Sequence, residues 1–147
     1  RTSWVLSNTG KNFFLTMLKL ISERNIINVV NDQIGCITLA SNLSKACWEL
    51  IKLQVKDVTL PKILHFSDSG ICSWFDVAKT IKEFALEKKL LFNDPKIIPV
   101  DSDFFDLPAK RPNFSLLNSQ ETYELINFTP AHWRKSIDIL LNSEFTK

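Results

Sequence analysis

The stretch Arg1-Thr2-Ser3-Trp4-Val5-Leu6-Ser7-Asn8-Thr9-Gly10-Lys11-Asn12-Phe13-Phe14 reads as a strand, a short turn and the start of a helix. Trp4, Val5 and Leu6 favour extended backbone. Ser7 to Gly10 form the polar cluster that stops a strand, and Asn12 is a good N-cap for the apolar run that follows. This reading brings Ser3, Trp4 and Asn12 close together. In an open α/β sheet ligands bind beyond the carboxyl ends of strands, so an indole, small hydroxyls and a helix start at such an edge suggest a site. A tryptophan closing a core strand is the competing reading.

Outward from this stretch, strands and helices alternate. Phe13, Phe14, Met17, Leu18 and Ile21 recur at helical spacing, which predicts an amphipathic helix over 12–23. Ile26 to Val30 reads as a β-branched strand ended by Asn31, Asp32 and Gln33, with Gly35 in a tight turn. Asn42 to Leu53 returns to helical period through Leu43, Ala46, Cys47, Leu50 and Ile51. Ile63 to Phe66 reads as a buried strand. Ser73 caps a helix whose inner face is Trp74, Val77, Ala78, Ile81, Phe84 and Ala85. A strand over 97–100 follows, then a loop rich in Asp, Pro and Phe to Leu117. Two helices close the chain, Ser119 to Ile126 and Pro130 to Leu141, the latter with Pro130 in its first turn. Strands joined through helices imply an α/β class with parallel pairing.

The chain has 147 residues, suited to one domain or half of a larger one. A formal charge of +2, with cations and acids interleaved, argues against nucleic acid as a partner. No apolar run approaches the roughly 18 residues that span a bilayer, so no membrane partner is expected. Cys36, Cys47 and Cys72 form no Cys-x-x-Cys pair, which points to a reduced, intracellular chain. Arg1 stands where a complete product would carry Met and leads directly into a core strand. The expectation is a fragment whose N-terminal part lies upstream.

The three glycines, Gly10, Gly35 and Gly70, are too far apart for a G-x-G-x-x-G dinucleotide turn. Tyr123 is the only tyrosine, and Asn127 occupies the position of a Tyr-x-x-x-Lys partner. His65 and His132 are isolated, so no metal site is expected. The loop Pro108-Ala109-Lys110-Arg111-Pro112-Asn113-Phe114-Ser115 sets two adjacent cations between prolines. A guanidinium fork there suits a phosphate or diphosphate. The alternative is a solvated loop whose Arg111 pairs with Asp103 or Asp106.

Six segments occur together in register: Arg1-Thr2-Ser3-Trp4-Val5, Gly10-Lys11-Asn12-Phe13, Asp32-Gln33-Ile34-Gly35-Cys36, Ser69-Gly70-Ile71-Cys72-Ser73-Trp74-Phe75-Asp76, Pro108-Ala109-Lys110-Arg111-Pro112 with Ser115 and Leu117, and His132-Trp133-Arg134. In order and spacing they resemble the dTDP-4-dehydrorhamnose reductase family. The resemblance implies the C-terminal part of a Rossmann-like extended short-chain dehydrogenase/reductase. Residues 1–147 would hold the last strands of its sheet and the small nucleotide-sugar-binding subdomain, with the N-terminal cofactor-binding half absent.

It further implies a cytoplasmic reductase in cell-surface polysaccharide biosynthesis. That family uses NADPH to deliver a hydride to C4 of dTDP-4-dehydro-L-rhamnose; NADH as cofactor and a homodimer are left open. No catalytic residue falls in this chain, since the Gly-rich turn and the Tyr-x-x-x-Lys pair lie upstream in the family, and the chain alone is expected to be inactive. Carried over by position, Thr2 and Ser3 would lie beside the nicotinamide and Trp4 would face the deoxysugar. Asn12 and Phe13 would contact the nucleotide sugar, and Arg111 would clamp the diphosphate. Asn113 and Ser115 would shape the loop, while Cys72, Ser73 and Trp74 would be structural, with the indole in the core. Ile37 replaces a usual Pro, and Asn42 stands where an Asp commonly opens the helix. The rivals are another nucleotide-sugar reductase or epimerase of the superfamily, and a non-catalytic regulatory or interaction subunit.

Overall fold

The computed structural model describes residues 1–106 and 108–144. Leu107, within the loop assigned to residues 101–117, and the last three residues of the 1–147 assignment lie outside the described residues. The elements run β1 (Val5–Leu6), α1 (Phe13–Glu23), β2 (Ile26–Val30), β3 (Ile34–Gly35), β4 (Thr38–Leu39), α2 (Ala40–Val55), β5 (Cys72–Ser73), α3 (Trp74–Glu87), β6 (Lys96–Val100), a 3₁₀ turn (Ser102–Phe104), α4 (Gln120–Ile126) and α5 (Trp133–Glu144). Among the described residues the strands pair two by two. β1 with β4 and β2 with β6 are parallel, and β3 with β5 is antiparallel.

Local signals account for most of these elements. Asn12 closes the start of α1 from both sides: its Oδ1 accepts from Leu15 N at 3.3 Å, and its Nδ2 donates to Ser7 O at 2.9 Å. α1 then buries Phe14, Met17, Leu18 and Ile21. α3 opens with a capping box, in which Asp76 N donates to Ser73 Oγ at 3.1 Å and Ser73 N donates back to Asp76 Oδ2 at 2.8 Å. On β2 the buried residues are Ile27 and Val29, a period of two that turns one face to the core and leaves Asn28 and Val30 on the other. α3 packs on α1, α5 and β2, and the main core runs between them through Phe14, Ile21, Val77, Ile81, Ile137 and Leu141. A smaller cluster gathers Ala46, Phe66 and Ile126.

Five expectations change. The segment 63–66 forms no strand: Phe66 N donates to Arg1 O and Asp68 N to Ile37 O, so the chain runs extended beside those residues without a ladder of its own. Gly35 is not in a tight turn but in β3, where it is needed for close approach. α2 begins at Ala40 rather than Asn42, and Cys47 and Ile51 on it are exposed. α5 begins at Trp133, three residues after Pro130. Trp74 is half-buried, not in the core.

The start of α2 has a single cause. Leu39, its N-cap, has no capping side chain. The carboxylate of Asp68, only 1% exposed, supplies that function from across the fold. Asp68 accepts from Leu39 N at 3.1 Å, from Asn42 Nδ2 at 2.9 Å and from Ser136 Oγ at 2.5 Å. Asn42 therefore suits this chain, because an Asp there would face a second, buried carboxylate without a donor.

Candidate functional site

Residues 1–4 approach β1 along β4. Thr38 N donates to Trp4 O at 3.1 Å, and the Thr38 hydroxyl donates to Ser3 O at 2.7 Å while receiving Thr2 Oγ1 at 3.0 Å. Ser3 Oγ donates to Cys36 O at 3.0 Å. These bonds hold Trp4 at a φ of 44°, a left-handed setting that is an outlier for so bulky a residue. Its indole stacks on Trp74, centroid to centroid 3.9 Å at 13°, and Phe13 tilts against Trp74 at 4.4 Å and 43°. The Trp4 ring also lies over Gly35. A Cβ on Gly35 would come within 2.9 Å of Trp4 Cζ2 and of Ser115 Oγ, so this glycine makes room for the indole.

The loop carrying Arg111 is pinned to β3. Ile34 N donates to Asn113 O at 2.7 Å, and Ser115 N donates to Ile34 O at 2.8 Å. Arg111 is exposed, and among the described residues it forms no ion pair with Asp103 or Asp106. A cavity of about 620 Å³ lies between these segments, with Ser3, Trp4, Phe13, Trp74 and Arg111 all in its wall. That volume suits a ligand larger than a simple metabolite. Its lining is mostly apolar and aromatic, with Gln33, Asn28 and Ser115 adding polar atoms.

The structure therefore brings Ser3, Trp4, Phe13 and Arg111 to one cavity, while Thr2 and Asn12 are outside its lining with their polar groups engaged in fixing backbone. Sequence reading missed Trp74 as a wall of the cavity. The signal available was its position directly after the Ser73 cap, which puts a first-turn ring at the sheet edge beside Trp4.

The chemistry elsewhere is quiet. Burial pushes the thiols of both Cys36 and Cys72 up to about 12, so neither is a thiolate near neutrality. Desolvation raises the Asp68 carboxyl above its ordinary range, against the pull of Ser136, Asn42 and Leu39. Among the described residues no cluster of three His, Cys, Asp or Glu is placed to hold a metal, and no helix is long and apolar enough to cross a membrane.

Residues 1–145 match the family described as RmlD substrate binding domain. The chain belongs to that family. The domain is 36% identical over 137 residues to the spore coat polysaccharide biosynthesis protein SpsK of Bacillus subtilis, covering 93% of this chain and 44% of that protein. It is 31% identical over 146 residues to the dTDP-4-dehydrorhamnose reductase of Escherichia coli strain K12, covering 99% of this chain and 49% of the relative. Among solved structures it is similar to the dTDP-4-dehydrorhamnose reductase of Bacillus anthracis in complex with NADP, with a TM-score of 0.79, 30% identity, and coverage of 97% and 47%. The domain spans about half the length of the relatives it matches. Its α/β fold is that of the C-terminal half of the extended, Rossmann-like reductases.

Proposed function

We propose that this domain is the substrate-binding, C-terminal portion of an NADPH-dependent reductase that converts dTDP-4-dehydro-L-rhamnose to dTDP-L-rhamnose in the cytoplasm. The observation that carries the reading is the sharing of one cavity by Trp4, Phe13 and Arg111. Arg111, a guanidinium without an ion pair among the described residues, on a loop stiffened by Pro108 and Pro112, meets the diphosphate as a fork of donors. Trp4 and Phe13 form the wall against the deoxysugar and nucleoside. Gripping the nucleotide at a distance from the reacting carbonyl lets binding energy fix the sugar for reaction at C4.

NADPH, when bound, supplies the hydride. At this chain's edge Thr2 and Ser3 are small, and their hydroxyls are tied to Thr38 and Cys36, which fits a flat nicotinamide ring passing beside them. With no Gly-rich turn and no Tyr-x-x-x-Lys pair in residues 1–147, the rest of the cofactor and the proton donor belong to an upstream half in this reading. The domain alone then binds nucleotide sugar without turning it over.

Calorimetric titration of the chain with dTDP-L-rhamnose tests this directly. Binding is expected, with Arg111→Ala weakening it about 10- to 100-fold, since a hydrogen bond to a charged group contributes roughly 1.5–3 kcal/mol. Equal weakening by Lys110→Ala would mean diffuse charge attraction and refute the Arg111 assignment. Joining the chain to the cofactor half of the E. coli relative is expected to restore NADPH oxidation with the keto-sugar.

A further inference from the structure

The aromatic pair in the cavity wall has an arrangement that the proposed roles do not explain. Trp74 covers one face of the Trp4 indole at 3.9 Å and 13°, Phe13 closes on Trp74 at 4.4 Å, and the Gly35 backbone leaves only glycine's width against the Trp4 ring. A ligand sugar that packed on Trp4 by its C–H face would need the surface that Trp74 occupies. Polar groups on the two rings point to another mode. The Nε1–H groups of Trp4 and Trp74 have no acceptor among the described residues. They are also not buried, since Trp133 Nε1 is the one buried side-chain nitrogen or oxygen there without a partner. Both rings line the cavity. An accessible indole N–H is a donor only, and its natural counterpart is an oxygen acceptor on the ligand.

We propose that Trp74 is a positioning residue of the substrate site: by covering the face of Trp4 it fixes that ring, so that the ligand meets the Trp4 edge and its N–H donor. The inference rests on the nucleotide-sugar reading and deepens it, because it makes Trp4 a reader of sugar oxygens such as a hydroxyl or the C4 oxygen. Stacking on a sugar or base face is then not its role. The left-handed backbone at Trp4 fits this, since the strained setting is retained where the neighbours dictate the ring's orientation.

The test uses the full chain, its nitrogen-labelled indole resonances, and titration with dTDP and dTDP-L-rhamnose separately. In the wild type the Trp4 Nε1–H resonance moves when dTDP-L-rhamnose binds and stays in place with dTDP. Trp4→Phe keeps a ring but removes the donor, and is expected to weaken dTDP-L-rhamnose about tenfold while dTDP stays within about twofold. Trp74→Ala shifts the Trp4 resonance without ligand, by loss of the stacked ring, and weakens the sugar nucleotide similarly. Trp74→Phe, which preserves an aromatic cover and guards against misfolding of the alanine variant, restores most of the affinity.

Full affinity in Trp4→Phe would overturn the proposal, as would an unmoved Trp4 resonance in Trp74→Ala. Failure of the wild type to bind either nucleotide refutes the function proposed above instead, whereas binding of dTDP-L-rhamnose that Trp74→Ala leaves at full strength overturns the positioning role alone.

Discussion

Gly70→Ala is expected to lower stability by about 3 kcal/mol, and the structure supplies two separable reasons. Gly70 has a φ of +96°, where an L side chain is strained by roughly 1–2 kcal/mol. An added Cβ would also lie 2.6 Å from His132 Nε2 and 2.7 Å from Trp133 Cδ1. His132 is exposed and can swing away, but Trp133 is 5% exposed and packed in the core, so relief must come from moving the start of α5. That start is tied to the same turn, because Trp133 N donates to Ser69 O at 2.9 Å. Overpacking of this kind costs about 1–3 kcal/mol, and the entropy that alanine removes from the unfolded chain returns only ~0.4–1 kcal/mol. At about 2–4 °C per kcal/mol for a domain of this size, Tm should fall by roughly 6–12 °C. Gly10→Ala is the control: Gly10 also has a positive φ, +76°, but nothing lies within 4 Å of its added Cβ. It should fall by only about 2–4 °C. Matched melts followed by circular dichroism decide the matter. Equal shifts for the two variants would refute the contact argument, and no shift in Gly70→Ala would refute the whole reasoning.

Alkylation of the native chain near neutral pH should modify Cys47 alone, with Cys36 and Cys72 reacting only after denaturation, because both buried thiols are held at about 12; mass spectrometry reads the sites. Ser73→Ala removes one half of the α3 capping box and should lower stability by about 1 kcal/mol in urea titration, with Asp76→Ala similar and the double variant less than additive. For Asp68 the sign follows from its raised native carboxyl. Its contribution is complete below about 3.8 and is lost as the pH rises through the higher native value, because the folded state then holds the proton more tightly than the unfolded chain. The stability of the wild type relative to Asp68→Asn should therefore decline as the pH rises above 4, and a difference independent of pH would refute the assignment.

What local chemistry dictates was readable from the residues. The Asn12 cap, the Ser73-x-x-Asp76 box, the i, i+3, i+4, i+7 face of α1 and the alternation in β2 each involve neighbours within a few positions, and each element stands where those signals place it. Long-range contacts decided the rest. The start of α2 moved because its cap comes from Asp68, 29 residues beyond Leu39. Gly35 looked like a turn residue, yet its small size is required by an indole from residue 4 and a hydroxyl from residue 115. No periodicity carries such information, since the residues that meet belong to separate segments.

The same principle explains why adjacent residues in the first stretch took different parts. Thr2 and Ser3 look interchangeable as small hydroxyls, and Asn12 and Phe13 both open the helix. In the fold, Thr2 spends its hydroxyl on Thr38 and Asn12 spends its amide on Ser7, Thr9 and Leu15, and neither lines the cavity, whereas Ser3 lies in the wall with its hydroxyl tied to Cys36 O. Those bonds set the backbone that carries Trp4 and Phe13, and the loop bonds of Asn113 and Ser115 to Ile34 do the same for Arg111. Polar side chains that hold the frame, Ser3 among them, have their donors consumed, and Arg111, without an ion pair among the described residues, keeps its donors for a ligand. A mutation in the first group should change stability and ligand affinity together. One in the second should change affinity with little cost to the fold, since an exposed guanidinium or indole edge contributes little to folding. Asn12→Ala and Arg111→Ala are the sharpest pair for this division: a lower Tm in the first and an unchanged Tm in the second is the expected pattern, and its reversal would mean that Arg111 serves the loop and not the ligand.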